Sequence, residues 1–297
     1  MALYAALHHV TDYRYARPVL LGPQLVRLRP APHSRSRILS YALQVEPAST
    51  VVHWHQDPYA NYQARLLITQ PTQALRLTVD LVVELVPFNP FEFFLEPEAA
   101  DYPFHYEPPL ARALAPYLSV DAPTPRVQAW LAQIDRRPRP SVEFVVMLNQ
   151  QLHAQVRYLQ RPEPGVQTPE QTLTQGSGSC RDSGWLLVNL LRHLGLAARF
   201  VSGYLIQIAP DSHTSAGTHG LDATELHAWC EVYLPGAGWL GLDPTTGLVA
   251  TEGHIPLACT PEPAGAAPIE GRLEATEVQF SHHLQVTRLH GPPPAAG

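Results

Sequence analysis

Cys180 stands directly behind Gly176-Ser-Gly-Ser and opens an apolar segment that should be helical to His193 and stop at Gly195. A thiol at the first turn of a helix meets unpaired N–H groups and the positive end of the macrodipole, which lower its pKa and favour the thiolate nucleophile. At helical spacing Cys180 shares a face with Gly184, Leu187 and Leu191, so the sulfur should point along the buried side, with Gly184 leaving room beside it. An ordinary buried cysteine is the competing reading; the Gly-Ser approach and the helix start favour chemistry.

A thiolate needs an imidazole, and the chain offers 15 histidines. His227 is singled out by Leu226-His-Ala-Trp-Cys-Glu-Val-Tyr-Leu234, in which Leu226, Ala228, Cys230, Val232 and Leu234 form one apolar strand face and His227, Trp229, Glu231 and Tyr233 the other. The parity assigns Cys230 to packing, and Cys259, without an activating context, is also read as structural. The turn Pro235-Gly-Ala-Gly238 leads into Trp239-Leu-Gly-Leu-Asp243, an antiparallel hairpin. Matching apolar faces pairs Val232 with Leu240 and Cys230 with Leu242, which sets Asp243 opposite Trp229 and diagonal to His227, within side-chain reach. A one-residue slip would send Asp243 to the other face.

The elements that must position these groups fall into two regions. Val10–Tyr15, Gln24–Arg29, Ile38–Val45, Tyr62–Ile68 and Leu75–Val83 alternate as strands with Pro, Gly, Ser or Asn breaks, an antiparallel sandwich. Between Pro87 and Pro140 prolines are dense and Phe88, Phe91, Phe93, Phe94, Tyr102, Phe104 and Tyr106 cluster, a connector packed on a domain surface. Ser141 is an N-cap candidate for a helix over 141–157 with a stripe at Phe144, Leu148, Leu152 and Val156. Strands are expected at Ala198–Ile208, Leu226–Leu234, Trp239–Leu242 and Val278–Leu289. The fold class is α+β, with a β-rich domain over 1–110, a second domain over 111–289 and a disordered tail at 290–297.

Composition removes several functions. The net charge is −6, and all 20 basic residues are arginine, which excludes a GxxxxGK phosphate loop, a Schiff-base lysine and a Ser-Lys dyad. No basic stripe suggests nucleic acid, and Arg136, Arg137 and Arg139, interleaved with proline, read as a solvated linker. No uninterrupted apolar run of membrane length and no signal peptide is visible. Three cysteines without a CxxC fit a reducing compartment, and the cytoplasm is the expected location. A metal site drawn from His213, His219, His227 and Cys230 lacks HExxH or CxxC spacing and is split by strand parity, so neither metal nor cofactor is expected.

Gly178-Ser-Cys-Arg-Asp-Ser, Leu226-His-Ala-Trp and Gly238-Trp-Leu-Gly-Leu-Asp-Pro-Thr, in this order, resemble the three motif blocks of the transglutaminase-like superfamily of cysteine enzymes, with a papain-related fold over about 140–260. The preceding region is similar to the β-rich N-terminal domain of bacterial transglutaminase-like proteins. By this resemblance Cys180 matches the nucleophile, His227 the general base and acid, and Asp243 the residue that orients the imidazole. The chain is also similar to the leading part of large bacterial proteins in which such a region precedes ligase-like domains, which implies a partner domain or protein of that kind.

The resemblance implies acyl transfer from a peptide or protein amide through a Cys180 thioester, with hydrolysis ahead of transfer to an amine. The Cys180 N–H is the natural oxyanion donor; Gln155 or Asn149 is a weaker candidate for a second. Asp182 reads as a local cap or salt bridge. A binding module that keeps the fold without turnover is the alternative, and arylamine acetyltransferases offer a related triad. Substrate and oligomeric state stay open.

Overall fold

The protein is described by a computed structural model covering residues 3–209 and 222–291. The alternating N-terminal sequence forms β1 (Leu3–Val19), β2 (Leu21–Val26), β3 (Arg37–Glu46), β4 (Val51–Gln56), β5 (Tyr62–Leu67) and β6 (Thr72–Leu85). Along β6 the buried positions Leu75, Leu77, Val79, Leu81, Val83 and Leu85 recur every second residue, so one face fills the core. Strand β4 carries no such alternation and lies almost wholly exposed at a sheet edge, where period-two burial has nothing to act on.

Beyond the connector, short helices α1 (Pro108–Ala113), α2 (Ala115–Leu118) and α3 (Pro125–Leu131) precede α4 (Ser141–Gln155), α5 (Pro169–Gln175) and α6 (Cys180–His193). Strands β7 (Ala198–Gln207), β8 (Ala223–Leu234), β9 (Gly238–Asp243), β10 (Leu248–Val249) and β11 (His254–Thr260) follow, and β12 (Ile269–Leu273) and β13 (Val278–Leu289) end the chain. The second sheet runs β10-β9-β8-β7-β11, antiparallel throughout. Helices α4 and α6 pack Phe144, Leu148, Leu152, Leu187 and Leu191 against Ala228, Cys230, Val232 and Leu242 of that sheet. The molecule is therefore α+β, a sandwich followed by a helix-backed antiparallel sheet.

Several expected features differ. Strand β13 forms where the alternation predicts it, but it pairs with β1, and β12 pairs with β2, giving sandwich sheets β13-β1-β6-β3 and β12-β2-β5-β4. Residues 269–289 thus complete the N-terminal sandwich instead of belonging to the second domain, because an unpaired strand takes the nearest open edge rather than the one nearest in sequence. The boundary near 110 moves as well. Ala99, Tyr102 and Phe104 sit in the helix–sheet core, and Tyr102 stacks on Phe144 with ring centroids 3.7 Å apart. Connector aromatics are thus split: these pack, while Phe94 is 93% exposed. Ser141 is already inside α4, whose N-cap is Pro140, and its buried hydroxyl has no partner. Of the expected tail, 292–297 lies outside the described residues.

Helix α6 is closed by Gly195, whose φ of +81° suits the left-handed conformation that residue tolerates. Arg192, in its last turn, is buried and donates to the carbonyls of Ala198, Pro261 and Ser119. Removing it orphans three acceptors in the interior. Arg192→Met is expected to destabilise the fold by about 3–5 kcal/mol, read as a fall in the urea midpoint; an unchanged midpoint would contradict this anchoring.

Candidate active site

The end of α6 that carries Cys180 is held by a buried acid, Asp182. Asp182 accepts the Ser179 N–H and hydroxyl, each at 2.8 Å, and the Gln167 N–H at 2.7 Å. The Arg161 guanidinium meets the same carboxylate at 3.0 and 3.2 Å. Burial would raise the Asp182 pKa, but these bonds outweigh it and hold the group below the usual carboxylate value. Asp182 is therefore a structural anchor, and a Cβ at Gly178 would come within 2.8 Å of its side chain. The residues before the cysteine are not slack: Ser177 and Gly178 pair in parallel with Arg157 and Tyr158. Cys180 is half-buried against the helix–sheet core, and its N–H belongs to the first turn, where no helix carbonyl is available. Gly184 abuts the Trp229 backbone, so the room it leaves is taken by strand β8.

The hairpin has the expected register, with Cys230 opposite Leu242 and Val232 opposite Leu240. His227 Nε2 lies 3.1 Å from Asp243 Oδ2. With Nε2 given to the carboxylate, the other ring nitrogen, Nδ1, is the one left for the sulfur. Burial alone would lower the His227 pKa; the hydrogen bond to Asp243 and the neighbouring Cys180 and Glu225 side chains override it and push the imidazole well up. Asp243 is fully buried, and burial would raise its pKa, yet His227, His254 and Thr245 hold it far below the usual range. The Thr245 hydroxyl and N–H reach Asp243 Oδ1 at 2.6 and 2.9 Å.

Both faces of β8 are buried, contrary to the one-sided alternation. Trp229 packs with Val201 and Cys259 on the His227 face, and its ring crosses Gly203, where a Cβ would approach within 2.5 Å. The sandwich segments around His33 and Asn61 touch Cys259 on this side, which explains why its residues are buried. Burial pushes the Cys230 and Cys259 thiols up, in keeping with packing roles. Gln155 and Asn149 are not directed at Cys180: Gln155 Oε1 accepts from Trp130, and the Asn149 amide donates to the carbonyls of Asp243 and Leu248.

Three contributors escape sequence reasoning. Glu225 Oε1 lies 3.3 Å from His227 Nδ1, out of hydrogen-bond alignment, with its side chain 46% exposed. Tyr158 stands at the rim; burial raises its phenol pKa first, followed by the charges of Cys180 and Glu225. His254 Nε2 is 3.4 Å from Asp243 Oδ2. His227, Asp243 and His254 offer ligand atoms within 4.8 Å of one another, a metal-like cluster. The Thr251 N–H, however, donates to His254 Nδ1 at 3.2 Å, so the neutral ring carries its proton on Nε2 and gives it to Asp243. That ring is a donor to the carboxylate rather than a metal ligand. A second cluster, His33, Glu231 and Cys259, is filled by the Arg199 guanidinium, 2.7 Å from Glu231 and 3.2 Å from His33. Of the expected metal set, His227 and Cys230 lie on opposite faces of β8, and His213 and His219 fall outside the described residues.

Residues 5–84 match the bacterial transglutaminase-like N-terminal region, and residues 128–244 match the transglutaminase-like superfamily. An uncharacterised protein of Mycobacterium tuberculosis is 28% identical over 271 residues, 89% of this chain and 85% of its own. One from Mycobacterium leprae is 25% identical over 95% of this chain and 97% of its own. A crystal structure from Cytophaga hutchinsonii, described as a candidate cysteine protease, superposes with a TM-score of 0.71 at 18% identity, covering 98% of this chain and 92% of that one. This last likeness concerns the fold.

The ion pair has a pH signature. His227, with its folded pKa raised, contributes stability that is complete below its ordinary value of 6.5 and is lost as pH rises toward the folded value. Asp243, lowered, contributes above its ordinary 3.8 and loses that contribution as pH falls through the folded value. His227→Gln should therefore cost most near pH 6, about 3 kcal/mol, and progressively less in alkali; urea midpoints with a cost independent of pH would show that the pair is not ionised.

Proposed function

The core of this chain belongs to the transglutaminase-like superfamily and follows a bacterial transglutaminase-like N-terminal region, and from that premise we propose that the protein is a cysteine hydrolase acting on peptide or protein amides. The observation that supports the reading is the hydrogen bond between His227 Nε2 and the buried Asp243 carboxylate, which leaves the buried Nδ1, without a hydrogen-bond partner, as the ring nitrogen for neighbouring Cys180. The proton rests on His227, and Cys180 attacks the amide carbonyl as the thiolate. The carbon–nitrogen bond breaks as the imidazolium gives that proton to the departing amine, leaving a Cys180 thioester and a neutral ring. Water then adds while His227 takes its proton. The carbon–sulfur bond breaks, the acid leaves, and the thiolate–imidazolium pair is restored.

Asp243 holds the ring by Nε2 and stabilises the imidazolium, a role for a carboxylate that does not itself become protonated. The Cys180 N–H, in the unpaired first turn, serves the developing oxyanion. Transfer to an amine is the second reading, and Glu225 favours it: an exposed carboxylate beside His227 Nδ1 stands where an acceptor amine would enter. Three free thiols support a reducing compartment, and we place the activity in the cytoplasm; among the described residues no helix is long and apolar enough to cross a membrane.

Iodoacetamide at neutral pH is expected to label Cys180 at least about 100-fold faster than Cys230 or Cys259, and His227→Gln should slow that labelling by about tenfold or more. Incubated with synthetic peptides bearing main-chain and side-chain amides, the protein should show an acyl adduct on Cys180 by mass spectrometry, with free acid as product; a new amide when an amine is supplied identifies transfer. Cys180→Ala should lower turnover by a factor on the order of 10⁵. Equal reactivity of the three thiols, with no adduct, would leave a binding module.

A further inference from the structure

The sandwich contains an open cavity of about 470 Å³ that the chemistry at Cys180 does not use. It is lined by Arg29, Ile38, Tyr41, Leu43 and Trp54, among others. Strands β3 and β4 are the last strands of their respective sheets, and Tyr41 on one meets Trp54 on the other edge-on at 6.0 Å. The cavity thus opens on the side where the two sheets are not closed over each other.

Arg29 is the unusual group in it. Its guanidinium carbon lies 4.2 Å from the centre of the Tyr62 ring, 5.5 Å from Trp54 and 5.6 Å from Tyr41. Among the described residues no carboxylate or carbonyl accepts a hydrogen bond or ion pair from it. Arg29 is partly buried, and the buried arginines are used differently: Arg27 donates to Glu270 and the Ala267 carbonyl, Arg192 to three carbonyls and Arg199 to Glu231. The rings therefore fix a permanently charged, planar fork of donors without satisfying one of them. Tyr41 repeats the pattern, since its hydroxyl oxygen is buried and has no partner. Burial also raises the Tyr41 pKa, which keeps the phenol neutral and able to donate. Burying the Tyr41 donor without an acceptor is costly, and an incoming acceptor would recover that cost.

We propose that this cavity binds an organic carboxylate with an apolar body, the Arg29 fork taking the carboxylate, the Tyr41 hydroxyl donating to the ligand, and Ile38, Leu43 and Trp54 covering the apolar part. A guanidinium fork matches a carboxylate with two parallel bonds. A lone cation backed by rings suits a single negative charge better than the double charge of a phosphate monoester. The carboxylate belongs either to a free organic acid or to the C-terminus of a peptide. The proposal is independent of the Cys180 reading.

Calorimetric titration of the full chain tests it, with 4-phenylbutyrate as the free acid, N-acetyl-phenylalanyl-leucine as the peptide carboxylate and 4-phenylbutyramide as the neutral control. One or both acids should bind saturably and tell the two sources apart, the amide at least about tenfold more weakly, and inorganic phosphate should not compete. Arg29→Met should weaken the acid by about tenfold or more, and Tyr41→Phe by a smaller factor, with Cys180 labelling unchanged. Should Arg29→Met fail to fold, Arg29→Lys, which keeps the charge and loses the fork, together with the acid–amide comparison in the parent, still decides. Absence of saturation by about 50 mM, equal binding of acid and amide, competition by phosphate or indifference to Arg29 overturns the proposal.

Discussion

A carboxylate with no exposure to solvent, Asp243, governs the geometry around it. A buried charge is tolerated only when its lone pairs are filled, and Asp243 fills them from two directions. Thr245 supplies a hydroxyl and an N–H to one oxygen, from the turn that follows; His227 and His254 supply ring nitrogens to the other, from strands β8 and β11. Shifting any of those strands by one residue would withdraw a donor and leave the charge uncompensated. The carboxylate therefore acts as a register lock for three strands as well as an orienter for one imidazole.

A similar device fixes the other half of the site. Asp182, also without solvent exposure, ties the start of α6 to Gln167, Ser179 and Arg161. Cys180 and His227 thus sit on separate elements, each secured by its own buried carboxylate. The approach of Cys180 to His227 that the proposed chemistry needs depends on those two anchors agreeing, with the small side of Gly184 letting helix and strand come together. In the proposed hydrolase, preorganisation of this kind would remove the cost of assembling the pair when a substrate arrives.

What the sequence discloses follows from how local each cause is. Helix α6 is readable at both ends because Ser179 and Gly195 are local signals, and the hairpin register is readable because Pro235-Gly-Ala-Gly238 leaves few ways to match the apolar faces. His254 is invisible beforehand, since its role depends on β11 crossing to the far edge of the sheet and on the Thr251 N–H choosing its tautomer. Glu225 and Tyr158 are hidden for the same reason. The alternation at 278–289 signals a strand without naming its neighbour, and the short helices over 108–131 offer too few turns for a period to show.

Sheet pairing makes the sandwich more than a preceding module. Its two sheets are finished by β12 and β13, which the chain reaches only after completing the helix-backed sheet, so that sheet is threaded between two contributions to the sandwich. The contact is also physical: Tyr204, Ile206, Ile255 and Leu257 enter the sandwich core, and His9 hydrogen-bonds the Tyr204 hydroxyl at 2.9 Å. Strand β11, which bears His254, lies in this shared core through Ile255 and Leu257. One donor to Asp243 is consequently held by packing against the sandwich, and the order of the candidate site depends on residues at both extremes of the chain.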